Sequence, residues 1–186
     1  YPENTLADRA RLEMAVLMRD SLSQPEEAEH ILRTLAARAR PPGFRYTVEK
    51  ELARTLVHSA KLKEAAAVME RIAGIHAPRK DGDWIASIAE LARIYYFQKD
   101  FSKVVQTLRP LVNEKPEGPA LFHEQLNDAV ELLLFVDSNG DNGGALALIA
   151  ESDLLRLRKE YDKALSMLET VISDTSVKQI QGEALF

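Results

Sequence analysis

Residues 88–116 read IAELARIYYFQKDFSKVVQTLRPLVNEKP. Ile88, Leu91, Ala92 and Tyr95 recur at the spacing of one helical face. Lys99-Asp100 interrupts the pattern, Phe101 restarts it, and Val104, Leu108 and Leu111 continue it until Pro116. Two helices joined by so short a turn must run antiparallel and pack on each other. Pro110 lies inside the second helix, lacks a backbone donor and is expected to kink or shorten it.

The same hairpin recurs along the chain. Ala92 and Val104 stand twelve residues apart, as do Ala53 and Ala65, and Ser152 and Ala164. Ala15 and Ala28 stand thirteen apart, with one extra residue in the Ser21-Leu22-Ser23-Gln24 turn. Small side chains at matched places let two helices cross closely, and bulky neighbours flank them: Leu52, Leu56, Leu62, Met69 and Ile72, then Leu155, Tyr161, Leu168 and Val171. Gly and Pro cluster at Pro41-Pro42-Gly43, Lys80-Asp81-Gly82, Pro116-Glu117-Gly118-Pro119 and Gly140 to Gly144, which read as loops. No stretch alternates like a half-buried strand, so the fold class is all-α.

This pattern resembles the tetratricopeptide repeat (TPR), with Ile88 where the family often has Trp and Val104 where it prefers Ala. The resemblance implies an α-α superhelix, a TPR-like helical-repeat solenoid of about nine to ten antiparallel helices. Residues 1–186 form one such domain, with units near 5–42, 45–78, 83–117 and 144–175, an extra helix over 120–136 and the start of a further helix over 178–186. The extra helix fills an irregular interval. Ala28 to Ala65 is 37 residues and Ala65 to Val104 is 39, but Val104 to Ala164 is 60. Residues Ala120 to Val136 are apolar nearly all round, which predicts a helix packed between its neighbours. The repeat register runs to both termini, so the chain reads as a piece of a longer array with exposed repeat ends through which it could self-associate. Residues Tyr1 to Ala10 are similar to a segment of TPR proteins of the Gram-negative envelope, which leans the expected location to the bacterial periplasm or outer membrane, with the cytoplasm as the alternative.

Composition narrows the function classes. The 186 residues are 46% hydrophobic and 28% charged, too apolar and too regular for disorder. The longest strongly apolar stretch, Leu132 to Val136, is far short of the ~20 residues of a spanning helix. Zero Cys excludes a disulfide framework, a thiol nucleophile and a Cys-based zinc site. The net charge of −5 disfavours nucleic acid as a partner. Residues 1–80 carry 14 basic and 11 acidic side chains, whereas residues 81–186 carry 10 and 18, so the front of the chain suits an acidic partner.

Catalytic motifs are missing, so no enzymatic role and no cofactor are expected. His30, His58, His76 and His123 are scattered, without the paired spacing of a zinc helix, and no Gly-rich loop follows a strand. One loop resembles the first half of a calcium loop, Asp137-Ser138-Asn139-Gly140-Asp141-Asn142-Gly143, with Asp137, Asn139 and Asp141 as candidate oxygen ligands. It departs from that pattern at Asn142, Gly144 and above all Leu148, where a bidentate Glu belongs. The competing reading is an interhelix loop whose Asp and Asn cap the next helix. A calcium-responsive helical module is therefore the alternative to a binding scaffold.

The TPR resemblance implies that first helices line a concave groove. Its register puts Lys50, Arg54, Val57 and His58 there from one unit, and Ala89, Arg93, Tyr96 and Phe97 from the next. Arg54 and Arg93 hold equivalent places and are expected side by side. Guanidinium groups beside Tyr96 and Phe97 suit a carboxylate and an apolar side chain of a protein or peptide partner. The set differs from the family's chaperone carboxylate clamp at Glu90 and at Arg54. The sequence thus predicts a non-catalytic protein- or peptide-binding scaffold, with Lys50, Arg54, His58, Arg93, Tyr96 and Phe97 as candidate groove residues.

Overall fold

A computed structural model describes residues 5–113 and 124–173. The expected helix over 178–186, the loop at 116–119, and residues 1–4 of the envelope-like segment lie outside them. Among the described residues there are nine α-helices, one 3-10 turn and no strand. They are α1 (Thr5–Asp20), α2 (Pro25–Arg38), α3 (Pro42–His58), α4 (Leu62–His76), α5 (Gly82–Phe97), α6 (Phe101–Asn113), α7 (Glu124–Ser138), α8 (Gly143–Leu157) and α9 (Tyr161–Ser173). No helix among them is long and apolar enough to cross a membrane. The chain divides into two compact units, Tyr1–Ile72 and Ala73–Phe186, with the boundary inside α4.

The small residues picked out by spacing sit at the helix crossings. Ala15, Ala28, Ala53, Ala65, Ala92 and Val104 are completely buried, and Ser152 and Ala164 nearly so. The Ser152 hydroxyl donates to the Ala164 carbonyl at 3.1 Å, a bond from a side chain of α8 to the backbone of α9. A side chain longer than Ala or Val at these points would hold the backbones apart.

The turns repeat as faithfully as the crossings. Ser23, Ala60, Lys99 and Lys159 all adopt positive φ, between 55° and 63°. Each lies five residues before the small residue of the following helix. At the ends of α3, α5 and α8 the hydrogen bonds are those of a Schellman cap. Ala60 N–H donates to Val57 O and Lys61 N–H to Leu56 O, and the same pair of bonds forms at Lys99-Asp100 and Lys159-Glu160. The next residue (Lys61, Asp100 or Glu160) offers its carbonyl to the first turn of the next helix. The turn thus hands each chain directly from one helix to its partner.

In the first unit, α2 packs on α1 and α3, and α1 also reaches α3. Leu32, Leu35, Leu56, Met69 and Ile72 form a fully buried core. Ion pairs cross the seams: Asp8 to Arg38 at 2.6 Å, Glu29 to Lys61 at 3.0 Å, Glu49 to Arg71 at 3.0 Å and Arg19 to Glu51 at 2.8 Å.

In the second unit, α5 packs on α6, α7 and α8, and α8 on α9. The extra helix α7 packs on α5 and α6, but not all of its apolar residues are covered: Leu134 is exposed. The helix then turns through Gly140–Asn142 into α8 without packing along it. Pro110 does not end α6, which runs on to Asn113, because a proline in the last turn deprives only the carbonyl one turn before it.

Two substitutions test this account. Replacing the completely buried Ala53 by Leu should overpack the interior around α3 and lower unfolding free energy by about 1–3 kcal/mol, read from the urea midpoint of helical circular dichroism. Replacing Ala60 by Gly should raise it by roughly 0.5–1 kcal/mol, because the left-handed conformation costs an L residue more than glycine's extra chain entropy.

Candidate functional site

The second unit holds a cleft of about 660 Å³. Its floor and walls come from four helices. On α5, Arg93, Tyr96 and Phe97 fall on one face, and on α7 Asp128, Leu132 and Phe135 do the same. From α8 come Ile149, Asp153, Arg156 and Leu157, and from α9 Leu168. α7 and α8 are joined by the short turn at Gly140–Asn142, and each packs on α5.

Tyr96 and Phe97, only 4% exposed, are built into the base of the cleft rather than projecting from it. The Tyr96 ring meets Phe97, Phe101 and Phe135 at centroid distances of 5.8, 6.2 and 6.4 Å. Its hydroxyl donates to Asp153 Oδ2 at 2.9 Å, tying α5 to α8. Burial pushes the Tyr96 phenol well above the usual tyrosine range, and the Asp153 carboxylate adds to that; Arg156 and Arg93 pull weakly the other way. Asp153 Oδ1 accepts from Arg156 at 2.9 Å, so this carboxylate is held from both sides.

Arg93 is exposed, and its guanidinium lies 5.7 Å from the centroid of the Phe97 ring. Among the described residues it makes no ion pair. Asp128, on the α7 wall, is exposed and likewise unpaired among the described residues.

The other candidates lie on α3 of the first unit, so the cleft brings together Arg93, Tyr96 and Phe97 but not Lys50, Arg54 or His58. Lys50 lies over the Tyr46 ring at 5.4 Å, and His58 is half-buried in the last turn. Arg54 donates to Glu51 at 3.0 Å, and Glu51 also receives the buried Arg19. Burial alone would lower the Arg19 pKa, but hydrogen bonds to Asp20 and Glu51 outweigh it and hold the guanidinium charged. Arg54 therefore belongs to an internal charge network.

The calcium-loop residues diverge. Asp137 is exposed and pairs with Arg109 at 3.8 Å, Asn139 is buried and donates to the Phe135 carbonyl at 2.8 Å, and Asp141 is exposed. A different set of possible ligands was not read from the sequence. His76, Asp81 and Asp83 bring one ligand atom each within 4.8 Å of the others. Asp81 already caps α5 by accepting from Trp84 N–H at 3.0 Å, and the positive end of α5 opposes a cation there.

No family model matches the chain, and no curated protein matches it by sequence. A solved structure does match in shape: a kinesin light chain-like protein of Podosopora anserina with nearly identical TPR-like repeats. It has 21% identity and a TM-score of 0.52, over 95% of this chain and 99% of the other. The likeness is one of fold, and it shows this chain to be an all-α, TPR-like helical-repeat protein.

The tyrosine in the cleft has a spectroscopic signature. A phenol whose folded pKa is raised contributes stability that is present below the unfolded value of about 10 and is lost as pH climbs toward the folded value. In an ultraviolet phenolate titration, Tyr96 should ionise only as the helices melt, so Tyr96→Phe should remove one late-ionising phenol from the curve.

Proposed function

We propose that this chain is a non-catalytic protein-binding scaffold that engages a carboxylate-bearing segment of its partner in the cleft of the second unit. TPR-like folds generally serve protein–protein interaction, which supports the class. The single observation that carries the site is an uncommitted guanidinium, Arg93, poised over an apolar base that includes Phe97, Leu132 and Phe135. A carboxylate on Arg93 would gain a charge-assisted hydrogen bond beside an aromatic face, and the apolar base would shelter a neighbouring side chain. Lys50, Arg54 and His58 form a secondary strip in this reading, weakened because Glu51 already draws on Arg54. The resemblance of residues 1–10 to envelope TPR proteins supports a bacterial envelope setting.

The test is selection of binders from a random dodecapeptide display library on the purified chain. Enriched peptides should lose about three- to tenfold in affinity for Arg93→Glu, the loss of a charged partner at an interface rim, and much less for Arg54→Glu. Equal binding to wild type and Arg93→Glu, with helicity intact, would remove the cleft from consideration as the docking site.

A further inference from the structure

We infer that the cleft recognises a bipolar segment: an apolar side chain with a carboxylate on one side and a basic group on the other, laid across from α5 to α7. The inference rests on the docking reading above and adds to it the sign and order of the partner's charges.

Four ionic side chains line the cleft: Arg93, Arg156, Asp128 and Asp153. Arg156 and Asp153 are bonded to each other at 2.9 Å, and Asp153 also accepts from Tyr96. That pair is internally satisfied and offers little to a ligand. Arg93 and Asp128 remain, of opposite sign, on different walls and without ion-pair partners among the described residues. Between the walls the base is apolar, with Phe97, Leu132 and Phe135. A partner carrying only carboxylates would gain on Arg93 but be repelled by Asp128. A partner carrying only cations would meet the reverse. One bearing both charges, in the order set by the walls, gains at each end and buries its apolar residue between them. Opposed charges on separate elements also fix direction, so a bipolar segment docks one way round.

Arg93 and Asp128 are both exposed, so charge reversal at either should leave the helices intact, checked by circular dichroism. The probe is the peptide pool selected on wild type from the dodecapeptide library, followed by titration of one synthetic peptide from it. The pool should be enriched in an apolar residue flanked by one acid and one base, in a single order. Arg93→Glu and Asp128→Arg should each weaken that peptide by about three- to tenfold, within the range for polar groups at a rim. The double variant, with the two signs exchanged between the walls, should select the opposite order and bind the order-reversed peptide better than the original. An acid-only pool that still depends on Arg93 would overturn the bipolar inference and leave the docking reading standing. A double variant that keeps the wild-type order would do the same. A pool indifferent to both single variants, or no enrichment at all, would overturn the docking reading and this inference with it.

Discussion

Everything in this protein depends on how closely two helices of a hairpin can approach. Ala53, Ala65, Ala92 and Val104, at the matched places of two hairpins, are all fully buried, and none is longer than Val. Dispersion falls steeply with separation, so larger side chains facing one another would lose packing along the whole contact. The tightness also sets the turn. With the crossing fixed, the chain must reverse in very few residues, and it does so by placing Ser23, Ala60, Lys99 or Lys159 in the left-handed region. The cap, the following helix start and the crossing residue then fall at constant offsets, which is what makes the hairpins repeat.

The cleft appears where this regularity is interrupted. After α6 the chain inserts α7, and α8 rather than α7 resumes the hairpin with α9. Both α7 and α8 then rest on α5, joined by a 3-10 turn, and the cleft is lined from all three. Local rules obeyed elsewhere are relaxed here, as is common where a protein binds something. The charges follow the same division. In the first unit the buried acids Glu29, Glu49 and Glu51 are all committed to ion pairs that hold helices together. In the cleft, Arg93 and Asp128 have no ion-pair partner among the described residues.

Much of the architecture was legible because helical periodicity and small-residue spacing are local properties. The crossing pairs, the extra helix before Gly140 and the aromatic pair Tyr96-Phe97 could all be picked out by counting. The left-handed turns could not, since Ala60, Lys99 and Lys159 are not the glycine that such turns usually announce. The neutralisation of Arg54 was half visible: Glu51 lies three residues before it, but Arg19 approaches from 32 residues away. The cleft was hidden, because Asp128 and Leu132 reach it only through the packing of α7 on α5. The meeting of His76 with Asp81 and Asp83 depended in the same way on the path of a loop.

The contact between α5 and α8 spans the insertion, so neither helix relies on α7 to find the other. An ancestral hairpin stack could have acquired such a helix without re-laying its foundations. Yet α7 is bound into the unit as firmly as its neighbours: Ala129, Leu133 and Val136 are buried, and Phe135 sets its ring edge-on against Tyr96.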